Sequence, residues 1–312
     1  MTAPANSPSL LNPRAPCEVA PLIAVEDFGP EWSPGRAAQA CLELERGGIL
    51  KFSGVPFELP QADIAFLLSY AARDSRFHKN VSYRPASGVL RGFAGDPASE
   101  ERTQCILRTY SQNVVAFAAK LLAPYAGRWT LDFASFRPLE EAGRSLSLHK
   151  RNDLLHVDAF PSRPTRGARI LRVFTNLNPA EPRVWNAGLA FPRLAEQYAA
   201  AAGLSRFSAP GPLRRISRSL ALRSSRSPYD SFMLHFHDWM KENASLQSGL
   251  PRRQVEFPPS STWLVFTDGV PHAVMSGRFA LEQTIIVPAQ AMVAPELAPI
   301  RVLERLAGTK LA

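Results

Sequence analysis

Apolar residues in the first third of the chain recur every three or four positions, which is the spacing of an amphipathic helix. This spacing appears in three segments, PGRAAQACLELERGG, QADIAFLLSYAARD and ASEERTQCILRTYSQNVVAFAAKLLAPYAG. Between the first two, ILKFSGVPFELP predicts a strand that runs into a turn. The first third of the chain is therefore predicted to be mostly helical.

After Gly127 the pattern changes to alternating apolar and polar residues, as in half-buried strands. Strands are predicted in WTLDFASF, LLHVDAF and ARILRVFTNLN. The last third, STWLVFTDGVPHAVMSGRFALEQTIIVPAQAMV, predicts three more strands, with tight turns at Asp268-Gly269 and Ser276-Gly277. Such dipeptides supply the positive φ that two-residue hairpin loops require, so an antiparallel meander is expected.

Two further helices are predicted within this β-rich part. One covers FPRLAEQYAAAAG and ends at Gly203. The other opens at Ser227, with Pro228 at its first position and Asp230 three residues after the cap. Its buried stripe is predicted to consist of five apolar residues: Tyr229, Phe232, Met233, Phe236 and Met240.

The chain has 312 residues, enough for one large domain or two small ones with a substantial core. Residues 1–20, rich in Pro, Ser and Ala, are expected to be a loosely tethered end, and residues 21–312 a single domain. Apolar residues make up 46% of the chain and charged residues 20%, which argues against extensive disorder. The 28 prolines predict many loops and sheet edges, because proline is poorly tolerated inside helices and central strands.

The three cysteines, Cys17, Cys41 and Cys105, have no close spacing, so neither a disulfide framework nor a thiolate metal site is predicted. The first residues lack the basic opening and the continuous apolar run of a signal peptide. No segment reaches the roughly 18 apolar residues that a membrane span needs. A cytoplasmic protein is therefore expected.

The formal net charge is +9, from 36 Lys and Arg against 27 Asp and Glu. Five arginines fall within one short segment: Arg214, Arg215, Arg218, Arg223 and Arg226. Four more follow the predicted strand LLHVDAF: Arg163, Arg166, Arg169 and Arg172. A positive field attracts nucleic acid, anionic lipid and acidic sugars alike, so charge alone does not choose among them.

Four of the six histidines are not predicted to bind a metal. His78 and His149 stand alone among charged residues and are expected to be ordinary surface or supporting groups. His235 and His237 lie two residues apart on the predicted helix, which corresponds to about 200° of rotation, so their rings should diverge.

His156 and Asp158 lie two residues apart in LLHVDAF, and a period of two places both side chains on one face of an extended segment. His272 lies in a distant predicted strand, VPHAVM. Two histidines and one carboxylate arranged in this way are typical of non-haem Fe(II) oxygenases, in which three protein ligands leave coordination positions open. The alternative is that both histidines are ordinary core residues and that Asp158 caps a turn.

Two segments, LLHVDAFPSRPTRGARILRVFTNLNP and STWLVFTDGVPHAVMSGRFALEQTIIVP, strongly resemble the 3-deoxy-D-manno-oct-2-ulosonic acid (Kdo) 3-hydroxylases. That family belongs to the Fe(II)- and 2-oxoglutarate-dependent dioxygenases. The resemblance covers residues 130–290 well and the helical first third more loosely. It implies an α+β fold with a double-stranded β-helix, or jelly-roll, over about 128–292 and flanking helices mainly from about 21–127.

The resemblance also implies the chemistry. Fe(II) would be held by His156, Asp158 and His272, with 2-oxoglutarate and O2 as co-substrates. The reaction would hydroxylate C3 of a Kdo sugar in Kdo-lipid A, part of the lipopolysaccharide inner core, and give the Ko sugar, succinate and CO2. Peripheral contact with the cytoplasmic face of the inner membrane is expected; nucleic acid is not expected as a partner, and no protein partner is inferred.

One position departs from the pattern of the superfamily. Many members bind the distal carboxylate of 2-oxoglutarate with an arginine ten or eleven residues after the second histidine, where this chain has Glu282 and Gln283. Arg172 is the preferred substitute and Arg278 the second candidate, because a guanidinium matches a carboxylate bidentately. Two polar residues are predicted to support the bound carboxylate: Asn176 and Thr284.

Basic and aromatic residues around the site are candidates for contact with an anionic sugar lipid. These candidates are Arg137, Arg144, Lys150, Arg151, Phe160, Arg163 and Trp185. The alternatives are a solvated basic face and, for the aromatic residues, the core. Three other functions stay open from the sequence: a dioxygenase of the same architecture with another anionic or lipid-linked substrate, a basic nucleic-acid-binding protein, and a metal-free structural jelly-roll.

Overall fold

Two β-sheets form the centre of the protein. The structure is a computed structural model and describes residues 19–25, 32–70, 80–208 and 226–312. Its strands are β1 (Leu22–Ala24), β2 (Ile49–Phe52), β3 (Val81–Arg84), β4 (Val89–Arg91), β5 (Thr130–Arg137), β6 (Arg169–Asn176), β7 (Arg183–Ala187), β8 (Arg253–Phe257), β9 (Thr262–Phe266), β10 (His272–Ser276) and β11 (Ala280–Val287). The larger sheet has the order β1-β2-β9-β6-β11-β5-β3-β4 and the smaller one the order β10-β7-β8. The β1–β2 pair is parallel, and the other pairs between these strands are antiparallel.

Eight helices accompany the sheets in the described part of the chain. They are α1 (Pro34–Glu45), α2 (Gln61–Leu68), α3 (Pro97–Leu121), α4 (Phe191–Tyr198), α5 (Leu204–Ser208), α6 (Pro228–Glu242), α7 (Ala244–Gly249) and α8 (Pro299–Ala307). Side-chain caps define four of the starts. Ser33, Asp96 and Asn243 each accept a hydrogen bond from a backbone N–H of the first turn. At α6, Ser227 and Asp230 form the predicted capping box.

The outer face of the larger sheet is covered by helices. Leu44 of α1 and Val114 of α3 pack in one buried cluster with Val173 of β6 and Leu281 of β11. Because successive side chains of a strand point to opposite faces, Arg172 lies on the inner face of this sheet.

An aromatic core joins the inner faces of the two sheets. Phe174 of β6 and Trp263 of β9 pack with Trp185 of β7 and Phe257 of β8. The rings of Phe257 and Trp263 are stacked with centroids 3.9 Å apart, and the Phe174 and Trp185 rings meet edge to face at 5.1 Å. These rings hold the two sheets together next to the candidate site.

The prediction of a strand in LLHVDAF is wrong, although the segment is extended as expected. His156 exchanges two backbone hydrogen bonds with His272 of β10, at 3.1 and 2.9 Å. Asp158 instead donates its backbone N–H to the carbonyl of Thr267, which directly follows β9. Since β9 and β10 belong to different sheets, the segment changes partner within two residues and forms no continuous ladder. The alternation of side chains that the prediction used is preserved.

The antiparallel meander predicted for the last third is also wrong. The three strands exist, but β9 and β11 both flank β6 in the larger sheet, whereas β10 belongs to the smaller one. The turns at Asp268-Gly269 and Ser276-Gly277 therefore cross between the sheets rather than close hairpins. Gly277 has a φ of 117°, and a Cβ there would lie 2.9 Å from the Cα of Arg183, so this crossing requires glycine.

The predicted helices in the first third are present, with shorter ends. The first becomes α1, and the third ends at Leu121 and is followed by a 3-10 turn, Ala123–Tyr125. The second ends at Leu68, and the last four residues of its predicted range lie outside the described residues. The first third also contributes β1 to β4 to the larger sheet, which the apolar pattern did not indicate apart from β2.

The expectation of a loosely tethered end at residues 1–20 is wrong for its last two residues. Val19 forms a β-bridge with Leu189, and Ala20 is fully buried. The rest of that range, residues 1–18, lies outside the described residues. Among the described helices, none is both long and apolar enough to cross a membrane.

Candidate metal centre and cavity

Three side chains from distant parts of the chain converge at the end of the aromatic core. The potential ligand atoms of His156, Asp158 and His272 all lie within 4.8 Å of one another. The Nε2 atom of His156 is 3.8 Å from Oδ1 of Asp158, and the two imidazole centroids are 4.7 Å apart. The paired backbone hydrogen bonds between the two histidines fix this approach. The structure thus brings together the three residues that the sequence predicted as ligands.

Backbone carbonyls fix the tautomer of both imidazoles. Nδ1 of His156 is 2.7 Å from the carbonyl oxygen of Leu154, and Nδ1 of His272 is 2.9 Å from that of Val270. Because a carbonyl oxygen can only accept, each Nδ1 must carry the proton. The lone pair of each ring is then on Nε2, the atom that is available for a metal.

A chain of charged groups extends from Asp158 across the inner face of the larger sheet. Arg172 places Nη2 2.9 Å from Oδ2 of Asp158 and Nη1 2.7 Å from Oε1 of Glu282. Arg137 donates from Nε to Oε2 of the same Glu282 at 2.6 Å. Glu282 lies on β11, between the strands that carry the two arginines. Glu282 therefore forms an ion pair with one guanidinium from each neighbouring strand.

Burial and charge set the protonation states of the triad. Burial lowers the pKa of His156 well below its usual value and also lowers the pKa of His272, so both rings are neutral near pH 7. Burial alone would raise the pKa of Asp158, but the positive charge of Arg172 outweighs it and holds that pKa far below the usual range. Two neutral imidazoles and one ionised carboxylate are the forms in which these side chains bind metals.

The donor set fits a divalent metal ion of intermediate softness. Imidazole nitrogen suits Zn, Cu, Fe and Ni, and a two-histidine, one-carboxylate set with open positions is characteristic of non-haem Fe(II) oxygenases. The alternative is that His156 and His272 are ordinary core residues. The orientation of their Nε2 atoms argues against it. His156 and His272 are 4% and 5% exposed, yet each offers its Nε2 towards the same point.

The triad opens into a cavity of about 740 Å³ with a basic lining. The described part of this lining includes seven basic side chains besides the two histidines of the triad: Arg137, Arg144, His149, Lys150, Arg172, His237 and Lys241. Asp158 is the acidic member of the same lining, and Asn80 and Asn152 add polar groups. A cavity of this kind suits a small anionic molecule bound next to the triad.

The helix α6 contributes two residues that the sequence analysis did not select. His237 donates from Nδ1 to the carbonyl of Val157 at 2.8 Å, and its ring centroid is 4.9 Å from that of His156. Lys241 lies one helical turn later on the same face. The i, i+4 spacing of His237 and Lys241 is the feature of the sequence that could have placed them on one face of the helix. His235 points elsewhere and hydrogen-bonds to the carbonyl of Ala202, so the two helix histidines diverge as expected.

Some predicted substrate contacts line the cavity and others do not. Arg137, Arg144 and Lys150 are in the described lining. Arg151 is not, and it forms an ion pair with Asp153 at 2.6 Å.

Arg163 and Phe160 pack against each other outside the described lining. The guanidinium of Arg163 is 4.3 Å from the ring centroid of Phe160 and 4.2 Å from that of Phe133. Arg163 also pairs with Asp132. Both residues thus have local packing partners, and their contact with a substrate stays a prediction.

Trp185 was predicted to line a sugar pocket and is a core residue instead. Its side chain is 1% exposed, and its ring stacks on the imidazole of His272 with centroids 5.0 Å apart. Its ring therefore contacts a proposed metal ligand and is not in the described cavity lining.

The predicted supports for 2-oxoglutarate have different positions. Asn176 donates to the carbonyls of Glu181 and Phe257, away from the cavity. Thr284 donates to Glu282 at 3.0 Å and so takes part in the charged chain indirectly. Arg278 lies over the ring of Phe279, 3.9 Å from its centroid, and is not in the described cavity lining.

Several basic residues noted in the sequence do not contribute to the described site. Arg169 forms a buried ion pair with Asp268 at 2.9 Å, and Arg166 is not in the cavity lining. Arg226 donates to the carbonyl of Pro161. Six other residues noted in the sequence lie outside the described residues: Cys17, His78, Arg214, Arg215, Arg218 and Arg223.

The comparisons with known proteins agree with this geometry. A family model described as 3-deoxy-D-manno-oct-2-ulosonic acid (Kdo) hydroxylase matches residues 28–310. No curated protein matches the chain. Among solved structures, the chain is similar to the Kdo hydroxylase KdoO, a non-haem Fe(II) α-ketoglutarate-dependent dioxygenase, in complex with α-ketoglutarate and Fe(III). The identity is 35%, the TM-score 0.80, and the match covers 94% of this chain and 97% of that chain.

A second structure of KdoO, in complex with cobalt(II), is similar to the same degree. It is 35% identical, with a TM-score of 0.81, over 93% of this chain and 97% of that chain. An apo structure gives the same identity and TM-score.

Proposed function

The chain belongs to the Kdo hydroxylase family, and from this premise we propose that it hydroxylates C3 of a Kdo sugar in Kdo-lipid A. The products would be the Ko sugar, succinate and CO2. Membership confirms the predicted jelly-roll fold, the enzyme class of Fe(II)- and 2-oxoglutarate-dependent dioxygenases, and the use of iron and 2-oxoglutarate. The observation that carries the proposal is the His156, Asp158 and His272 triad at the base of a basic cavity.

The protein residues hold and orient the reacting groups. His156, Asp158 and His272 would hold the iron through two Nε2 atoms and one carboxylate. Iron bound there, together with 2-oxoglutarate and O2, supplies the oxidising power that inserts one oxygen atom into a C–H bond while 2-oxoglutarate becomes succinate and CO2. The buried position of the triad limits access of water to it.

Arg172 is our candidate for the distal carboxylate of 2-oxoglutarate. It lines the cavity, contacts the ligand Asp158 and is held by Glu282 in a fixed orientation. Arg137 lines the same cavity and shares Glu282, so it is the supporting cation. A planar guanidinium with a fixed orientation matches a carboxylate better than a flexible ammonium does.

The outer rim of the cavity suits contact with a membrane-bound lipid. Residues 142–150 are exposed or half-buried and include Arg144 and Lys150 of the lining. Leu148 is 42% exposed beside them. Exposed apolar side chains among basic ones favour peripheral binding to an anionic lipid surface.

The proposal is tested by supplying the purified protein with Fe(II), 2-oxoglutarate, O2 and Kdo-lipid A. We expect succinate release that depends on the lipid, and a product heavier by one oxygen atom in mass spectrometry. Lipid A without Kdo is the matched control and should release no succinate above background. Turnover of an unrelated sugar acid, with none of Kdo-lipid A, would instead support a dioxygenase of the same fold with a different substrate.

A further inference from the structure

Lys241 on α6 is a buried cation that the proposed reaction has not used so far. Its side chain lines the cavity, although the residue is 4% exposed. Nζ donates one hydrogen bond, to the carbonyl of His149 at 2.9 Å. An ammonium group has three N–H donors. Among the described residues, no carboxylate lies in ion-pair contact with it.

A buried ammonium without a counter-ion is costly, because burial removes the water that would solvate its charge. Burial accordingly lowers the pKa of Lys241 to about 8, with Asp158, Asp238 and Asp153 acting in the opposite direction from a distance. The hydrogen bond to one carbonyl leaves two N–H donors for a further partner. A site of this kind is completed by an anion that enters the cavity.

Lys241 differs in its ion pairing from the arginines assigned to 2-oxoglutarate. Arg137 and Arg172 are balanced by Asp158 and Glu282, with which they form ion pairs. A divalent iron would in turn be balanced by the two carboxylates of 2-oxoglutarate. Arg144 and Lys150 belong to the half-buried or exposed rim, so the buried charge of Lys241 remains for a third anionic group at the site.

Lys241 also reaches the triad from a different element than Arg172 does. Arg172 comes from β6 and contacts Asp158. Lys241 stands one turn after His237, whose ring contacts that of His156. The two cations therefore come from different elements of the fold, β6 and α6.

We propose that Lys241 is a specificity-determining residue that binds the carboxylate of the sugar acid substrate. This inference rests on the proposed function and names the group that distinguishes a sugar acid from a neutral sugar. A charge-assisted hydrogen bond in a desolvated site contributes enough to favour the acid by roughly 10- to 100-fold.

The test compares two ligands with two proteins. The ligands are Kdo-lipid A in detergent micelles and the same lipid with its Kdo carboxylate converted to an amide; the proteins are the wild type and Lys241→Met. Binding is measured without oxygen, in the presence of Fe(II) and 2-oxoglutarate. We expect the wild type to prefer the carboxylate by roughly 10- to 100-fold and the variant to bind both ligands within about threefold.

Two controls make the result decisive. Lys120→Met, at an exposed position near the end of α3, should retain the wild-type preference. The visible charge-transfer absorption of the Fe(II) and 2-oxoglutarate complex should titrate alike in all three proteins, which shows that Lys241→Met is folded. An unchanged preference in Lys241→Met would overturn the inference and leave the proposed function intact. Failure of the wild type to bind Kdo-lipid A would overturn the proposed function itself.

Discussion

The Nη1 atom of Arg172 lies 2.7 Å from the Oε1 atom of Glu282. Glu282 occupies the strand position at which the resemblance to the superfamily leads one to expect a basic residue. In this chain the acidic residue holds an arginine from the neighbouring strand β6, and a second, Arg137, from β5. The departure in sequence is thus accompanied by a guanidinium close to the same place in the fold.

This arrangement predicts which arginine binds 2-oxoglutarate. Arg172→Lys keeps the charge but loses the planar fork that spans two oxygens, so we expect the affinity for 2-oxoglutarate to fall roughly 10- to 100-fold. Arg278→Lys is the matched control, because Arg278 stacks on Phe279 and does not line the described cavity. Anaerobic titration of the Fe(II) complex with 2-oxoglutarate measures both. The opposite ranking of the two variants would transfer the role to Arg278.

The triad predicts a selective loss of metal. His156→Ala removes one of three donors, and we expect the affinity for Fe(II) to fall by roughly 100-fold or more, beyond the loss caused by changes to supporting residues. His235→Ala is the control, since His235 bonds to the carbonyl of Ala202 and faces away from the triad. Metal content after anaerobic dialysis gives the comparison. Equal iron in the two variants would contradict the assignment of His156.

The triad was predictable from the sequence for a local reason. Its two near neighbours, His156 and Asp158, needed only an extended backbone to point the same way, and the segment is extended although it forms no strand. The position of His272 beside them followed from the resemblance. The sheet topology did not follow, because the dipeptides at 268–269 and 276–277 specify tight turns without specifying which sheet the next strand joins.

The cavity lining was less predictable from the sequence than the triad. The rotation of about 200° between His235 and His237 correctly predicts that the two rings diverge and do not bind one metal together. That comparison does not reveal which side of α6 faces the triad, because the answer depends on packing between distant segments. Trp185 illustrates a second limit. The alternation of strand residues predicts that its side chain faces inward, but it does not predict whether that side chain packs in the core or lines the cavity.

The core position of Trp185 gives a test that separates packing from substrate contact. Trp185→Phe removes part of a fully buried ring, so we expect a loss of about 1–2 kcal/mol in the free energy of unfolding. The Michaelis constant for the sugar substrate should change less than about twofold, since the residue does not reach the described cavity lining. Urea unfolding and steady-state kinetics provide the two values. A large rise in that Michaelis constant with unchanged stability would restore the prediction of a sugar contact.

Gly269 makes the crossing between β9 and β10 sensitive to any side chain. A Cβ at this position would lie 2.4 Å from Nη2 of Arg169, whose buried ion pair with Asp268 it would displace. We expect Gly269→Ala to lower the free energy of unfolding by about 3 kcal/mol, the scale of a disturbed buried ion pair. Gly249→Ala is the control, because no atom lies within 4 Å of its added Cβ. Equal stability of the two variants in urea would show that Arg169 moves aside without cost.

The depressed pKa of Lys241 predicts how stability depends on pH. In the unfolded chain this ammonium titrates near its ordinary value, about 10.4, whereas burial lowers its pKa to about 8 in the folded protein. Below pH 8 both states are protonated and the full cost of the buried charge is present. Between these two pKa values the unfolded state binds more protons, so the contribution to stability rises with pH. Above both values the cost has disappeared.

The Lys241→Met variant lacks this buried charge. Its free energy of unfolding should therefore exceed that of the wild type by the largest amount near pH 7. We expect the difference in the free energy of unfolding between variant and wild type to shrink by about 3 kcal/mol from pH 7.5 to pH 10.5. Urea unfolding at several pH values, without substrate, measures it. Lys120→Met, at an exposed position of α3, is measured alongside as the surface control. A Lys241→Met curve parallel to that of the wild type would mean that Lys241 titrates alike in the folded and unfolded chains, and hence that its charge is already neutralised without an anionic ligand.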